Sequence, residues 1–352
     1  MLQYLTSSRL SGSFAGVAIG LLLAAFAPAG KAGEIAGGVV HEGSKGPGQG
    51  THVVLIAGDH EYRSEETVPA LARILAKHHG FKCTTLFTVH PTTGFIDPAA
   101  NNLPGAAALK DADLMIIFLR FKDFPDEQMA HIDDYLNHGK PVIGLRTATH
   151  AFFLEHPRKK YARYHFQWPG RDYHLGFGRQ VLGETWAGHY GDNHRQSTRM
   201  IPVEKNQAHP VMRGVKEVHT MAGGYWANPE ANSKILLLTQ PLNGMSPPSP
   251  PDPRKPPTPG AWVRTYTQNG KTGRVFTTTQ GASQDLLNAG FRRLLINAAF
   301  WTSGLEKAIR PDLEIDFVGP YRPSTFRFNG HRPNVYPSDM AGWDTPIMGA
   351  DR

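Results

Sequence analysis

The 352-residue sequence predicts an α/β domain built on a doubly wound parallel sheet, with irregular insertions and an extended C-terminal tail. Three observations carry this expectation. Four short apolar runs, "HVVLIAG" (52–58), "KCTTLF" (82–87), "ADLMIIFLR" (112–120) and "PVIGL" (141–145), are continuous rather than alternating, as strands buried on both faces are. Amphipathic helical stretches separate them, and strand–helix alternation gives a parallel sheet covered by helices. The length and an apolar content of 40% are enough for a sizeable core.

The elements follow in order. Arg9, an apolar run from Phe14 to Ala27 and the small-residue pattern Ala27-Pro28-Ala29 read as an export signal over residues 1–29. The run is short and Gly/Ala-rich for a membrane span, so the chain is expected to be exported, periplasmic or extracellular, and not membrane-bound after cleavage. Residues 30–50, rich in Gly, read as a flexible linker to a main domain over 51–305. "DHEYRSEET" after the first strand reads as a loop. The next helix has Pro69 in its first turn, Leu71, Ile74 and Leu75 as its apolar stripe and Gly80 at its end. His78 and His79 fall in its last turn, where the helix dipole favours imidazolium. The single cysteine, Cys83, lies inside the second strand and reads as a buried, inert thiol that cannot form an internal disulfide.

After the third strand, "FKDF" is a loop. Pro125 opens a helix with Met129, Ile132 and Leu136 on one face, and Gly139 closes it. The fourth strand, in "KPVIGLRTATHAF" (140–152), runs into a tight turn and then a helix. Residues 155–200 are polar, aromatic and His-rich. Residues 233–242 read as a strand, and 245–260, dense in Pro, as an extended loop. Residues 261–281 read as two strands around Asn269-Gly270, and a closing helix runs from Ala289 to Thr302. The Pro- and aromatic-rich residues 306–352 are expected to pack on the domain as a tail.

In an open α/β sheet, ligands bind outside the carboxyl ends of the strands. That rule selects Asp59, His60, Glu61, Tyr62 and Arg63 after the first strand, Arg120, Phe121 and Lys122 after the third, and Arg146, Thr147, Thr149 and His150 after the fourth. Asp59 is also a common cap and turn residue. Arg146 offers a fixed fork of donors suited to a carboxylate or vicinal hydroxyls, or a structural ion pair to Glu61 or Glu184. Arginine is neither a nucleophile nor a base, so covalent chemistry at this turn is not expected. "LGETWAGHYGDNHRQ" (182–196) carries Trp186, His189 and His194 among glycines. The two histidines are not at one-face helical spacing, so no metal is expected, and His189 reads as a general acid/base. "PRKKYARYHFQWPGRDYH" (157–174) interleaves basic and aromatic residues, which suits a lid or carbohydrate-contacting loop. The net charge of +7 is spread without a long basic run, so a nucleic-acid partner is not expected.

The ordered set "HVVLIAGDHEYR", "ADLMIIFLRF", "DEQMAHIDDYLNHGKPVIGLRTATHAF", "LGETWAGHYGDNH", "HPVMRGV" and the hairpin and helix through "FWTSG" resembles the ThuA-like (trehalose utilisation) domains over about residues 51–305. The resemblance implies a flavodoxin-like core of the class I glutamine amidotransferase-like superfamily. That superfamily's enzymes carry a G-x-C-x-G nucleophile turn. Here Gly144-Leu145-Arg146-Thr147-Ala148 replaces it, which argues against amidotransferase activity. Many ThuA-like domains have "GLH" where Arg146 stands and "TTLGH" where this chain has Thr278-Thr279-Gln280-Gly281-Ala282.

The family likeness implies a protein that acts on or binds a disaccharide or keto-sugar derivative. In that reading His150, His189 and Glu61 are catalytic, while Asp59, His60, Arg120, Arg146, Thr149, Trp186 and Gln280 contact substrate. No cofactor is expected. The alternative is a non-catalytic glycan- or protein-binding module on the same fold. The sequence leaves the oligomeric state open.

Overall fold

The computed structural model describes residues 32–155 and 159–349; the expected export signal lies outside them. Thirteen strands and three α-helices appear among these residues. The strands are β1 (Ala32–Ile35), β2 (Gly38–Glu42), β3 (His52–Gly58), β4 (Lys82–Phe87), β5 (Leu114–Leu119), β6 (Val142–Leu145), β7 (Thr198–Pro202), β8 (Val218–Thr220), β9 (Lys234–Pro241), β10 (Thr258–Gln268), β11 (Lys271–Thr278), β12 (Tyr321–Arg322) and β13 (Ile347–Met348). The helices are α1 (Ser64–His79), α2 (Asp126–Asn137) and α3 (Ala289–Thr302).

One sheet holds eleven strands in the order β1-β2-β4-β3-β5-β6-β11-β10-β9-β7-β8. From β4 to β11 neighbouring strands run parallel. The chain is thus an α/β domain of flavodoxin-like type whose parallel core is extended on both sides by antiparallel strands. The parallel strands are buried on both faces, and their alternation sorts them between two cores. Val53, Leu55, Leu114 and Ile116 pack with α1 and α3. Val54, Ile56, Met115 and Ile117 pack with α2 and the aromatic residues of 152–177. Removing one such side chain to alanine costs about 2–5 kcal/mol, because the surrounding layers fill the gap only in part.

Several expectations need correction. Residues 32–42 of the expected linker form the β1–β2 hairpin, and β2 pairs along β4. Gly37-Gly38 turns the chain, and β-branched Val39 and Val40 supply the strand that the surrounding glycines disguise. Helix α1 starts at Ser64, inside the expected loop, because Ser64, Glu65 and Glu66 suit a helix's first turn. Pro69 therefore sits in the second turn, where its missing N–H costs the helix only the bond to the Glu65 carbonyl. Burial lowers the pKa of His79 to about 4, so it is neutral rather than imidazolium; its Nε2–H donates to the Glu314 carbonyl at 2.7 Å. After β6 there is one 3-10 turn, Arg146–His150, and no α-helix. The Pro-rich loop ends at Pro257: Thr258–Gly260 already belong to β10, which pairs with β9 and carries a register shift between Pro259 and Ala261.

Gly80 ends α1 in the left-handed region at φ +80°. Cys83 is fully buried, and burial pushes its thiol well up. The tail packs tightly on the domain. Buried Arg73 donates to the carbonyls of Met340 (3.0 Å) and Thr345 (2.6 Å), and Glu66 accepts from the backbone and hydroxyl of Ser324.

Candidate functional site

The carboxyl ends of β3, β5, β6 and β11 bring their loops to one place. Asp59 leads the first loop and is fully buried. One carboxylate oxygen accepts the backbone N–H groups of Glu61 and Tyr62, both at 2.6 Å, and the other accepts the Thr147 hydroxyl. Both oxygens are thus spent on holding the β3 and β6 loops together. Thr149 is likewise part of the frame, its hydroxyl donating to the Arg146 carbonyl at 3.3 Å.

Around this frame the remaining side chains form a continuous wall. Arg120 lies 3.5 Å from Glu61, 2.8 Å from His60 Nε2 and over the ring of Phe121. Phe121 meets His150, His150 meets Trp186 at 5.0 Å, and Trp186 and Tyr225 both meet His189. Tyr225 returns to Arg146, whose other face is covered by Tyr62 at 3.7 Å. Tyr62 hydrogen-bonds His189 Nε2 at 3.0 Å and receives the amide of Asn193 at 2.7 Å.

Arg146 is fully buried with φ +44°, a strained conformation for a residue with a side chain. Its Nη1 donates to the carbonyls of Gly223 (2.9 Å) and Thr279 (2.8 Å). Neither expected ion pair forms. Glu61 faces Arg120, and Glu184 pairs with Arg179 at 3.1 Å while capping the backbone of Thr185 and Asn228.

Several groups at this site carry buried polar atoms with no hydrogen-bond partner among the described residues. They include Nε and Nη2 of Arg146, both amide atoms of Gln280, the Tyr225 hydroxyl, the Trp186 indole nitrogen and His60 Nδ1, beside Glu61 Oε2 and Arg120 Nε, which face one another at 3.5 Å. Each such atom costs free energy comparable to a lost hydrogen bond, so a cluster of them is a set of donors and acceptors prepared for another molecule.

Electrostatics set the proton states. Burial, then the Arg120 and Arg146 charges, holds His150 well below its ordinary pKa. His189, whose edge reaches solvent, is lowered to about 4 by the packing of its ring and then by Arg146 and Arg120. His60 is also lowered to about 4, by burial and Arg120. Burial raises Glu61, with Asp59 adding to it. Lys122, buried beside the loop and donating to the Pro98 and Ala100 carbonyls, is lowered by burial to about 8. Neutral imidazoles beside fixed guanidinium charges can accept a proton while the developing negative charge is stabilised.

All ten residues selected from the sequence fall on these loops, but sequence reasoning missed part of the wall. Tyr62 was in view within "DHEYR" without a role. Tyr225, in "AGGYW", carries no motif that would mark it. Phe326 and Phe328 come from the tail: Phe326 stacks on His194 and lies against Tyr62, and Phe328 covers His60 and Arg120. A cleft of about 690 Å³, lined by His194, Arg322, Arg327 and Met348 among others, lies behind Phe326 and outside this wall. Among the described residues no group of three His, Cys, Asp or Glu side chains is placed to hold a metal.

The parallel core, with loops gathered at the strand ends and a strained turn after β6, defines a glutamine amidotransferase-like α/β domain whose nucleophile position holds arginine. Within that class the chain belongs to the ThuA family, described as trehalose utilisation, whose model matches residues 53–302. No curated protein matches it. Similar solved structures include a ThuA-like protein from Parabacteroides merdae, at 16% identity and TM-score 0.44, covering 79% of this chain and 97% of that one. Another, from Bacteroides uniformis, has 14% identity and TM-score 0.42 over 77% of this chain and 98% of its own. A cytoplasmic protein from Salmonella typhimurium has 13% identity and TM-score 0.38, covering 73% and 99%.

Proposed function

We propose that this protein binds a carbohydrate, a disaccharide or its keto derivative, at the ends of β3, β5, β6 and β11, and moves a proton on it without a covalent intermediate. The observation that carries this reading is the cluster of unpartnered buried polar atoms on Arg146, Gln280, Tyr225 and Trp186, set beside the neutral imidazoles of His150 and His189. Aromatic faces alternating with hydrogen-bonding groups suit a sugar, which is apolar on its ring faces and polar at its rim. The family's link to trehalose utilisation supports the same class of ligand.

In this reading Arg146 and Arg120 orient hydroxyl or carbonyl oxygens. His150 or His189 takes a proton from the carbon beside a carbonyl, and an arginine near that carbonyl oxygen stabilises the resulting enolate. Glu61, its pKa raised and its carboxylate beside Arg120, acts as the carboxylate partner that relays the proton from the imidazolium to the neighbouring carbon or leaving oxygen. The outcome is isomerisation or elimination-type cleavage. The chain is further proposed to be exported, which mass spectrometry of the mature N-terminus tests: a start at residue 30 supports it, and an intact Met1 in the purified native protein opposes it.

The experiment for the activity is product analysis on disaccharides and keto-disaccharides with wild type and the Arg146→Ala/His150→Ala double variant. Turnover that the double variant abolishes supports the site. Unchanged turnover in a folded double variant removes it.

A further inference from the structure

Arg146 holds a fully buried positive charge, yet no carboxylate of the described residues forms an ion pair with it. The carboxylates nearest in the fold are all engaged elsewhere. Asp59 is saturated by two backbone N–H groups and Thr147. Asp285 accepts the backbone N–H groups of Met221, Ala222, Gly281 and Ala282. Glu61 faces Arg120. A buried charge without a counter-ion is costly, and proteins seldom keep one without use.

The geometry of the unused donors is specific. Nη1 is anchored to two carbonyls, which fixes the guanidinium plane, and the tyrosine rings of Tyr62 and Tyr225 hold it from the sides. Nε and Nη2 make no hydrogen bond of regular geometry, although the Tyr62 hydroxyl also interacts with the guanidinium, and these are the two donors along one edge of the plane. That edge presents two parallel N–H bonds, the arrangement that a carboxylate's two oxygens match. The Gln280 amide, between Thr279 and Gly281 on the same loop, has both atoms free, and the Tyr225 hydroxyl has no partner. These add contacts for hydroxyls beside the carboxylate.

We propose that the ligand is a sugar acid whose carboxylate is held bidentately by Nε and Nη2 of Arg146, with Gln280 and Tyr225 binding the adjoining hydroxyls. This rests on the reading of the site as a carbohydrate site and narrows its substrate class. A ketone would engage the edge through one oxygen only, and a neutral sugar would leave the charge uncompensated.

The test is calorimetric titration of the full protein with matched pairs: glucuronate against glucose, and lactobionate against lactose, with trehalose and a keto-disaccharide as further neutral ligands. Each acid is expected to bind at least tenfold more tightly than its neutral partner. The preference is expected to persist at 0.5 M salt, because a buried pair is screened far less than a surface one. Arg146→Lys keeps the charge but loses the fork, and is expected to erase the preference for acids. The wild-type comparison stands even where that variant does not fold. Arg146-dependent binding of neutral or keto sugars with no preference for acids overturns this inference and leaves the carbohydrate site standing. An acid preference that salt removes, or that Arg146→Lys retains, also overturns it. Binding of neither class overturns both.

Discussion

Arg146 sits where the superfamily's enzymes place a nucleophile, and the backbone keeps the strain of such a turn, φ +44°, while the side chain does different work. It packs against the rings of two tyrosines and spends one nitrogen on two carbonyls. Fully buried His150 is held neutral at physiological pH by burial and two guanidinium charges; His189, with its edge exposed, is lowered by partial desolvation of its ring and by the same two charges. A group with a depressed pKa is protonated only below that value. A reaction that needs neutral His189 is therefore fully active at pH 7 and declines as pH falls through about 4, not 6.5. A pH profile of kcat/KM with its acid limb near 6.5 would show that the base lies outside this environment. Tyr62→Phe removes the hydroxyl between His189 and Asn193. It should cost about 1 kcal/mol of stability, measured by urea unfolding, since one net hydrogen bond is worth roughly that. It should also lower activity by freeing His189.

At the scale of elements, the site depends on loops held by close backbone packing. A Cβ on Gly178 would fall 2.1 Å from the Thr149 carbonyl oxygen, a backbone atom that cannot swing aside. Gly178→Ala should displace the 146–150 turn and weaken sugar binding at least tenfold in titration, although Gly178 touches no ligand. The parallel strands were legible because burial on both faces writes a continuous apolar run, as in β3 and β5. The loops Asp59–Arg63, Arg120–Lys122 and Arg146–His150 were legible because strand ends locate them. The β1–β2 hairpin was not, since glycines around Val39 and Val40 give the composition of a linker. Tyr225 was not, because its place follows from the antiparallel extension, whose pairings are long-range. Phe328 was not, because nothing in a Pro-rich tail shows that it returns across the molecule to Arg120.

The described residues are built around one eleven-stranded sheet, and the tail, with its own β12–β13 pair, closes both a core and the site. Among the described residues, buried Arg73 donates its hydrogen bonds to tail carbonyls, and Phe328 covers Arg120. A chain ending at residue 305 should lose stability by several kcal/mol, as each buried donor left unmatched costs about 1–3 kcal/mol. Its melting temperature and sugar binding should fall together; an equally stable, equally binding truncated chain would show the tail to be dispensable. Cys83, buried on β4 with its thiol pushed up, should resist an aromatic disulfide reagent until denaturant is added. The most direct measurement of the central claim, proton transfer on a carbohydrate at the Arg146 turn, is proton NMR of a keto-disaccharide in D2O with the protein present. Protein-dependent loss of the signal of the C–H beside the carbonyl, or appearance of cleaved product, both absent with the His150→Gln/His189→Gln double variant, is the expected result. A sugar that binds in an Arg146-dependent way but neither exchanges nor reacts would contradict the claim and make the protein a binding module.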